Sequence, residues 1–352
     1  MKYIKTLDGL RAIAVLLVII SHWVSKSHWL NYLPNGAIGV TIFFVLSGYL
    51  ISSILFSYKD KIDADKGGVW SAIKVFYIRR SLRIFPIYYL FVLFLFFYGY
   101  TLIQDQLAYF LAYSSNILFF KRNELGGTVS HLWSLSVEEQ YYLLWPILVL
   151  TVNRRFTWLL IVVFILTGLS FQIIFVKEGT FFGLLPFAAF DAFGFGALLA
   201  FVQRYHEDRI STFSKVINFV SLVILTWLII TQIYSLELLI PAKVVMSVFS
   251  LFVLFHLVVP SKNAISFFYQ KMFTNDQLVF CGKISYGIYL YHTLIPGFSD
   301  NYYYKIIGHS SFLSHDFFFF VFNIMILLMV SSLSWFIVEK PFNSLKSKYN
   351  FQ

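Results

Sequence analysis

The sequence predicts an all-α polytopic integral membrane protein, with about ten transmembrane helices in one bundle and both termini in the cytoplasm. Three observations lead there. Hydrophobic residues fill 59% of the 352 positions and charged residues only 12%, with a mean hydropathy of +0.75; an ordinary soluble domain carries roughly twice that charged fraction. Ten apolar runs are long enough to cross a bilayer. All of the 27 Lys and Arg residues except Lys26, Lys121, Arg122, Lys177, Lys243 and Lys305 fall in segments that face the cytoplasm when the N-terminus lies inside. That bias accounts for the net charge of +10 without a nucleic-acid partner.

In chain order the spans are drawn at about 10–30, 37–58, 84–103, 131–152, 156–176, 180–203, 215–235, 239–259, 278–297 and 317–338. Lys2 and Lys5 ahead of the first run give it the look of a signal peptide. No small-x-small cleavage site follows, so it reads as a retained span. The longer outer loops are 104–130, with an apolar patch from Leu107 to Phe120 that suits an interfacial or re-entrant piece, and 298–316, rich in Tyr, His and Ser. Cys281 is the single cysteine, so no intramolecular disulfide is possible. There is no internal repeat or low-complexity linker. The chain reads as one membrane domain, 1–345, with a short cytoplasmic tail, 346–352.

Polar residues inside the spans mark candidate chemistry. Asp8, Arg11, Val15, Val18 and His22 fall near one helix face by their steps of three and four. At the helical rise His22 lies ~16 Å from Arg11, roughly mid-bilayer. An ionisable ring at that depth suits a reaction site, or a hydrogen bond to a neighbouring helix. Ser47-Gly48 closes the run Gly39–Gly48 and suits either close helix packing or a binding contact. Arg80 and Arg83 share a helix face at the inner membrane surface. Their planar forks match phosphate oxygens, although topology alone also explains basic residues there. His131, Trp133, Ser134, Ser136, Glu138 and Glu139 cluster at the outer start of the fourth span. A helix cap explains one serine or one acid; two acids beside a histidine suggest acceptor binding or a proton relay. Tyr286 and His292 belong to a further polar-aromatic run, and Asp191 sits inside the sixth span between glycine-rich turns.

Taken together these stretches resemble the membrane-bound acyltransferase 3 family. The resemblance rests on Leu7-Asp8-Gly9-Leu10-Arg11 with His22, Phe43-Phe44-Val45-Leu46-Ser47-Gly48, and Arg80-Ser81-Leu82-Arg83-Ile84-Phe85-Pro86. It continues with Trp133-Ser134-Leu135-Ser136-Val137-Glu138-Glu139-Gln140, Ser285-Tyr286-Gly287-Ile288-Tyr289-Leu290 with His292, and Val338-Glu339-Lys340-Pro341-Phe342. Six weak motifs in family order over nearly the whole chain make a specific match. The resemblance implies transfer of an acyl group, usually acetyl, from cytosolic acyl-CoA to a hydroxyl of a surface glycan or lipid-linked glycan such as O-antigen or exopolysaccharide. It implies a multi-pass protein of the inner membrane, with acetyl-CoA or another acyl-CoA as donor and no metal.

By the same resemblance His22 matches the catalytic histidine, and Arg80 and Arg83 match the paired arginines that hold the donor. From the residues themselves, Glu138 and Glu139 are further catalytic candidates, and Arg11 and Ser47 further donor-binding candidates. Asp8, His131, Trp133, Ser136, Tyr286, His292 and Asp191 are the candidates for substrate binding. Since the chain stops soon after its last span, acceptor acylation is expected within the membrane domain itself. Two other classes fit a bundle of this kind: a transporter or flippase of a small polar solute or glycolipid, and an acyltransferase with a non-glycan acceptor.

Overall fold

The computed structural model describes residues 3–25, 28–176, 181–234, 241–259, 264–299 and 315–351. The long helices are α1 (Lys5–Trp23), α2 (Asn35–Asp63) and α3 (Val69–Tyr98). Three short helices follow, α4 (Thr101–Asp105), α5 (Leu107–Leu111) and α6 (Ser115–Arg122). Next come α7 (Leu132–Thr151), α8 (Thr157–Phe175), α9 (Phe190–Tyr205), α10 (Ile210–Tyr234) and α11 (Ala242–Val258). The chain continues through α12 (Ala264–Phe273), α13 (Asp276–Lys283) and α14 (Ser285–Tyr291) to α15 (His315–Ser334). A π-helical turn, Trp335–Glu339, leads into α16 (Lys340–Ser344). Among the described residues there is no strand.

Among the described residues seven stretches are long and apolar enough to cross a membrane: Lys5–Trp23, Asn35–Asp63, Val69–Tyr98, Arg154–Phe175, Pro186–Tyr205, Glu207–Ile230 and Phe318–Lys348. The other three expected spans correspond to elements that miss that standard for visible reasons. α7 is polar through Ser134, Ser136, Glu138, Glu139 and Gln140. α11 is apolar but only 17 residues long. The span drawn at 278–297 is broken at Ile284 and again in the turn after Tyr291. Most of the expected outer loop 298–316 lies outside the described residues.

Two boundaries differ from the expectation and matter for the site. α1 ends at Trp23, where Val24 turns extended, so His22 occupies the last turn of α1 and not the middle of a 10–30 span. α3 starts at Val69 and stops at Gly99, whose φ of +89° favours glycine. Lys and Arg are good helix formers, so the basic turn Arg79–Arg83 is part of the helix instead of a loop before it.

α2 is the central helix and packs on α1, α7, α9 and α11. Against α9 the two backbones touch: a Cβ on Gly48 would stand 2.1 Å from the Phe193 carbonyl oxygen, and one on Gly196 2.0 Å from that of Val45. Two side chains fasten what faces the basic end. Lys59 is buried and donates to the carbonyls of Val149, Leu150 and Val152, closing the C-terminus of α7. Arg79 donates to the carbonyls of Lys346 (3.2 Å) and Tyr349 (2.8 Å) and to Asn350 Oδ1 (2.9 Å), which ties the C-terminal segment to α3. The apolar patch from Leu107 to Phe120 folds back on the bundle. The hydroxyls of Tyr88 and Tyr89 hold the carbonyls of Phe110 and Leu111, and Asn116 bonds Gln140 of α7.

Candidate active site at two joined cavities

Two cavities share a neck formed by Arg11, Leu50, Arg80, Arg83, Ser285 and Tyr286. The wider one is a vestibule lined by the cations Arg11, Arg79, Arg80, Arg83, Lys283, Lys340 and Lys346 against two carboxylates, Asp8 and Glu339. The inner one is much narrower and reaches between α2, α3, α7 and α14 to Glu138, Ser134 and Tyr289.

The neck holds two kinds of arginine. Arg11 is paired with Asp8, which also accepts from the Tyr3 hydroxyl at 2.6 Å. Burial and the Asp8 carboxylate push the Tyr3 phenol up to about 12, so it stays a donor at neutral pH. Arg80 lies over the Tyr142 ring at 4.8 Å. Neither Arg80 nor Arg83 makes a hydrogen bond or ion pair with another described residue. Three residues apart on α3, they present two uncommitted forks to both cavities.

In the inner cavity Glu138 accepts from Ser47 Oγ and from the Tyr142 hydroxyl, and those two oxygens are 3.0 Å apart. The cluster joins α2 to α7. It resolves the two readings of Ser47-Gly48: the serine faces the cavity while the glycine packs on α9. Glu139, one residue on and so about 100° round the helix, lines neither cavity.

The histidines lie beyond the inner cavity, in a row. The His22 and His292 ring centroids are 4.9 Å apart, and those of His292 and His131 5.0 Å. His22 is exposed, with Nδ1 2.9 Å from the Val18 carbonyl oxygen. A carbonyl only accepts, so Nδ1 carries the hydrogen and Nε2 keeps its lone pair. His292 is fully buried; its Nδ1 is committed to the Tyr289 carbonyl at 2.7 Å, and its Nε2 has no partner among the described residues. Both His131 nitrogens are engaged, Nε2 with the Leu290 carbonyl and Nδ1 with Thr293 Oγ1, each at 3.2 Å. His131 thus joins α7 to α14.

The structure brings Arg11, Arg80, Arg83, Ser47, Glu138 and Tyr286 together around the neck and inner cavity, with Asp8 at the vestibule. It separates the rest of the expected set from them. Ser136 is buried against Ser115 (2.8 Å) and holds the re-entrant segment, while Ser134 bonds Tyr289; neither caps α7, whose N-cap is His131. Trp133 packs on Phe44, with Lys243 Nζ 5.8 Å from its ring. Asp191 is buried between α8 and α9, accepting from Gln172 at 2.7 Å, and reaches neither cavity. Tyr142, Tyr289, Ser285, Lys283, Lys340 and Lys346 were not among the expected site residues. Ser285 and Tyr289 lie in the Ser285–Leu290 motif and Lys340 in the Val338–Phe342 motif, and Tyr142 follows Glu138 by four residues, one helical turn. Among the described residues no cluster of His, Cys, Asp and Glu is arranged to hold a metal.

A helical membrane protein built around a cation-lined cavity is the class that fold and site define. The acyltransferase-domain family matches residues 4–336. The chain belongs to the membrane-bound acyltransferase 3 family. A Staphylococcus aureus (strain COL) protein, provisionally named an O-acetyltransferase, is 30% identical over 356 residues, which cover 86% of this chain and 52% of the relative. The peptidoglycan O-acetyltransferase OatA of Listeria monocytogenes is 37% identical over 161 residues, 41% of this chain and 24% of the relative. A Bacillus subtilis protein, provisionally named a peptidoglycan O-acetyltransferase, is 39% identical over 161 residues, 41% of this chain and 23% of its own length. The chain spans about half the length of the curated relatives it matches over most of its own length. No solved structure matches it.

Proposed function

We propose that the chain is an O-acetyltransferase of the cytoplasmic membrane that moves an acyl group from cytosolic acyl-CoA to a hydroxyl of a cell-surface glycan. The observation that carries the donor is the pair of uncommitted guanidinium groups, Arg80 and Arg83, at the neck of a basic vestibule. A donor bearing several phosphates supplies the negative charge those cations lack, and forked donors hold phosphate oxygens two at a time. The thioester end would then pass the neck toward Glu138. The vestibule end is the cytoplasmic one in this reading, because Lys59, Arg154 and Arg204 gather with it; both termini are then cytoplasmic.

His22 is the base. The acceptor hydroxyl attacks the acyl carbon, its proton goes to the lone pair on His22 Nε2, and the carbon–sulfur bond breaks to release a thiolate, which takes that proton back from the imidazolium and leaves as the thiol. The hydrogen bond from Nδ1 to Val18 holds the imidazole in the tautomer that this requires. Among surface glycans, peptidoglycan is the acceptor in the names of two relatives, and we place it ahead of O-antigen and exopolysaccharide. Membranes containing the chain, given radiolabelled acetyl-CoA and then analysed by mass spectrometry of the surface glycans, test the reading. Label in a glycan ester supports it; label confined to lipid or to free acetate refutes the glycan acceptor.

A further inference from the structure

The structure leaves a gap in that scheme, since the donor cavities do not contain His22. Two side chains stand between them: Tyr289 at the cavity wall and, behind it, His292. The Tyr289 ring forms part of the inner cavity wall and meets Phe43 there, with centroids 6.0 Å apart. On its other side it meets His131 at 5.6 Å and His292 at 5.5 Å, and His292 in turn touches His22. Tyr289 is 5% exposed, and its hydroxyl is pinned by Ser134 Oγ at 2.5 Å and by the His131 carbonyl at 3.3 Å. His292 is the C-cap of α14, three residues after Tyr289, so the end of this helix carries both the cavity-wall ring and the first histidine behind it. α14 is only seven residues long and is bounded by breaks at both ends.

We propose that Tyr289 is a positioning residue, a partition between the donor chamber and the histidine row, which must swing aside for the acyl group to meet the acceptor. The inference rests on the acyl-CoA reading above. A thioester is open to water: hydroxyl addition at the acyl carbon breaks the carbon–sulfur bond and releases a carboxylic acid and a thiol. His22 is exposed on the far side of Tyr289, so a permanently open path would bring water and base to the thioester together. A closed partition confines the reaction to moments when an acceptor is present. The aromatic ring supplies the barrier, and the two hydrogen bonds of the hydroxyl hold it shut. Rotation about χ1 costs only those two bonds and the ring contacts, which sets a barrier that substrate binding can meet.

The test uses the purified full chain with radiolabelled acetyl-CoA and no acceptor, reading free acetate as hydrolysis, alongside donor binding and transfer to a soluble glycan fragment. Tyr289→Ala is expected to raise acceptor-independent hydrolysis by about tenfold or more while donor binding holds and transfer falls. Tyr289→Phe keeps the ring and loses the latch, so its hydrolysis lies between wild type and the alanine variant. Should Tyr289→Ala not bind donor, Tyr289→Leu takes its place, with the same rise expected. Wild-type hydrolysis in a donor-binding variant that has lost the ring overturns the partition, whatever happens to transfer. If wild-type protein neither binds nor turns over acyl-CoA, the donor reading itself fails, which is a separate result.

Discussion

Replacing Arg83 by alanine separates donor recognition from stability more cleanly than any other change at the neck. The guanidinium makes no hydrogen bond or ion pair with another described residue, so its removal breaks no bond within the protein; the Glu339 carboxylate in the same vestibule loses a nearby positive charge but no bonded partner. What disappears is the guanidinium's bond to ligand. A hydrogen bond to a charged group contributes about 1.5–3 kcal/mol, which is about 10- to 150-fold in Kd. Arg83→Lys keeps the charge but not the planar fork, so it recovers only part of the loss. Arg11→Ala is the contrast: it strands Asp8, a buried carboxylate, and lowers stability as well as affinity. The assay is equilibrium binding of a non-hydrolysable thioether analogue of acetyl-CoA to purified chain, with thermal unfolding measured on the same samples. The expected pattern is weak binding with an unchanged midpoint for Arg83→Ala, and both falling for Arg11→Ala. Normal binding by an Arg80→Ala/Arg83→Ala double variant would leave these arginines a topological role only and refute the reasoning.

Three other outcomes are expected. His22→Gln keeps a hydrogen-bonding side chain but cannot take a proton, so transfer should fall ~10²–10⁴-fold with donor binding intact; near-normal transfer would make His22 structural. Lys59→Met removes the donor that three carbonyls at the end of α7 share and should cost about 1–3 kcal/mol, seen as a lower unfolding midpoint; an unchanged midpoint contradicts the capping role. In a Cys281→Ser background, cysteines at Asp63 and Asp208 should be shielded from membrane-impermeant thiol reagents in intact cells while one at Tyr32 is labelled, and labelling at Asp63 reverses the orientation.

The sequence revealed class, family and neck because each depends on local rules. Apolar runs mark membrane helices, and a spacing of three puts Arg80 and Arg83 on one face wherever the helix begins. Positions that depend on tertiary packing were less legible. Glu138 and Glu139 are equivalent on paper; only the placement of α7 against α2 turns one to Ser47 and the other away. His131, Ser136 and Asp191 looked like ligand groups because polar residues in a span are costly, but the structure meets that cost with Thr293, Ser115 and Gln172. The first span was drawn on to residue 30, whereas the helix stops at Trp23, which bonds the His292 carbonyl, so His22 lies in its last turn. Tyr289 was legible only as a member of the Ser285–Leu290 motif: a tyrosine in an aromatic run looks the same whether it fills a core or divides two compartments.

The glycine contacts between α2 and α9 have a consequence for how this enzyme can vary. Ser47 and Gly48 are consecutive on a helix, so the distance from Ser47 to Glu138 is fixed partly by how closely Gly48 seats on Phe193. A methyl group at position 48 would meet backbone, which cannot rotate away, and the whole of α2 would shift. Catalytic geometry can therefore drift through substitutions that touch no substrate and alter no charge. Homologous chains that differ on the α9 side of α2 are where differences in donor size should be sought, before the chamber wall itself.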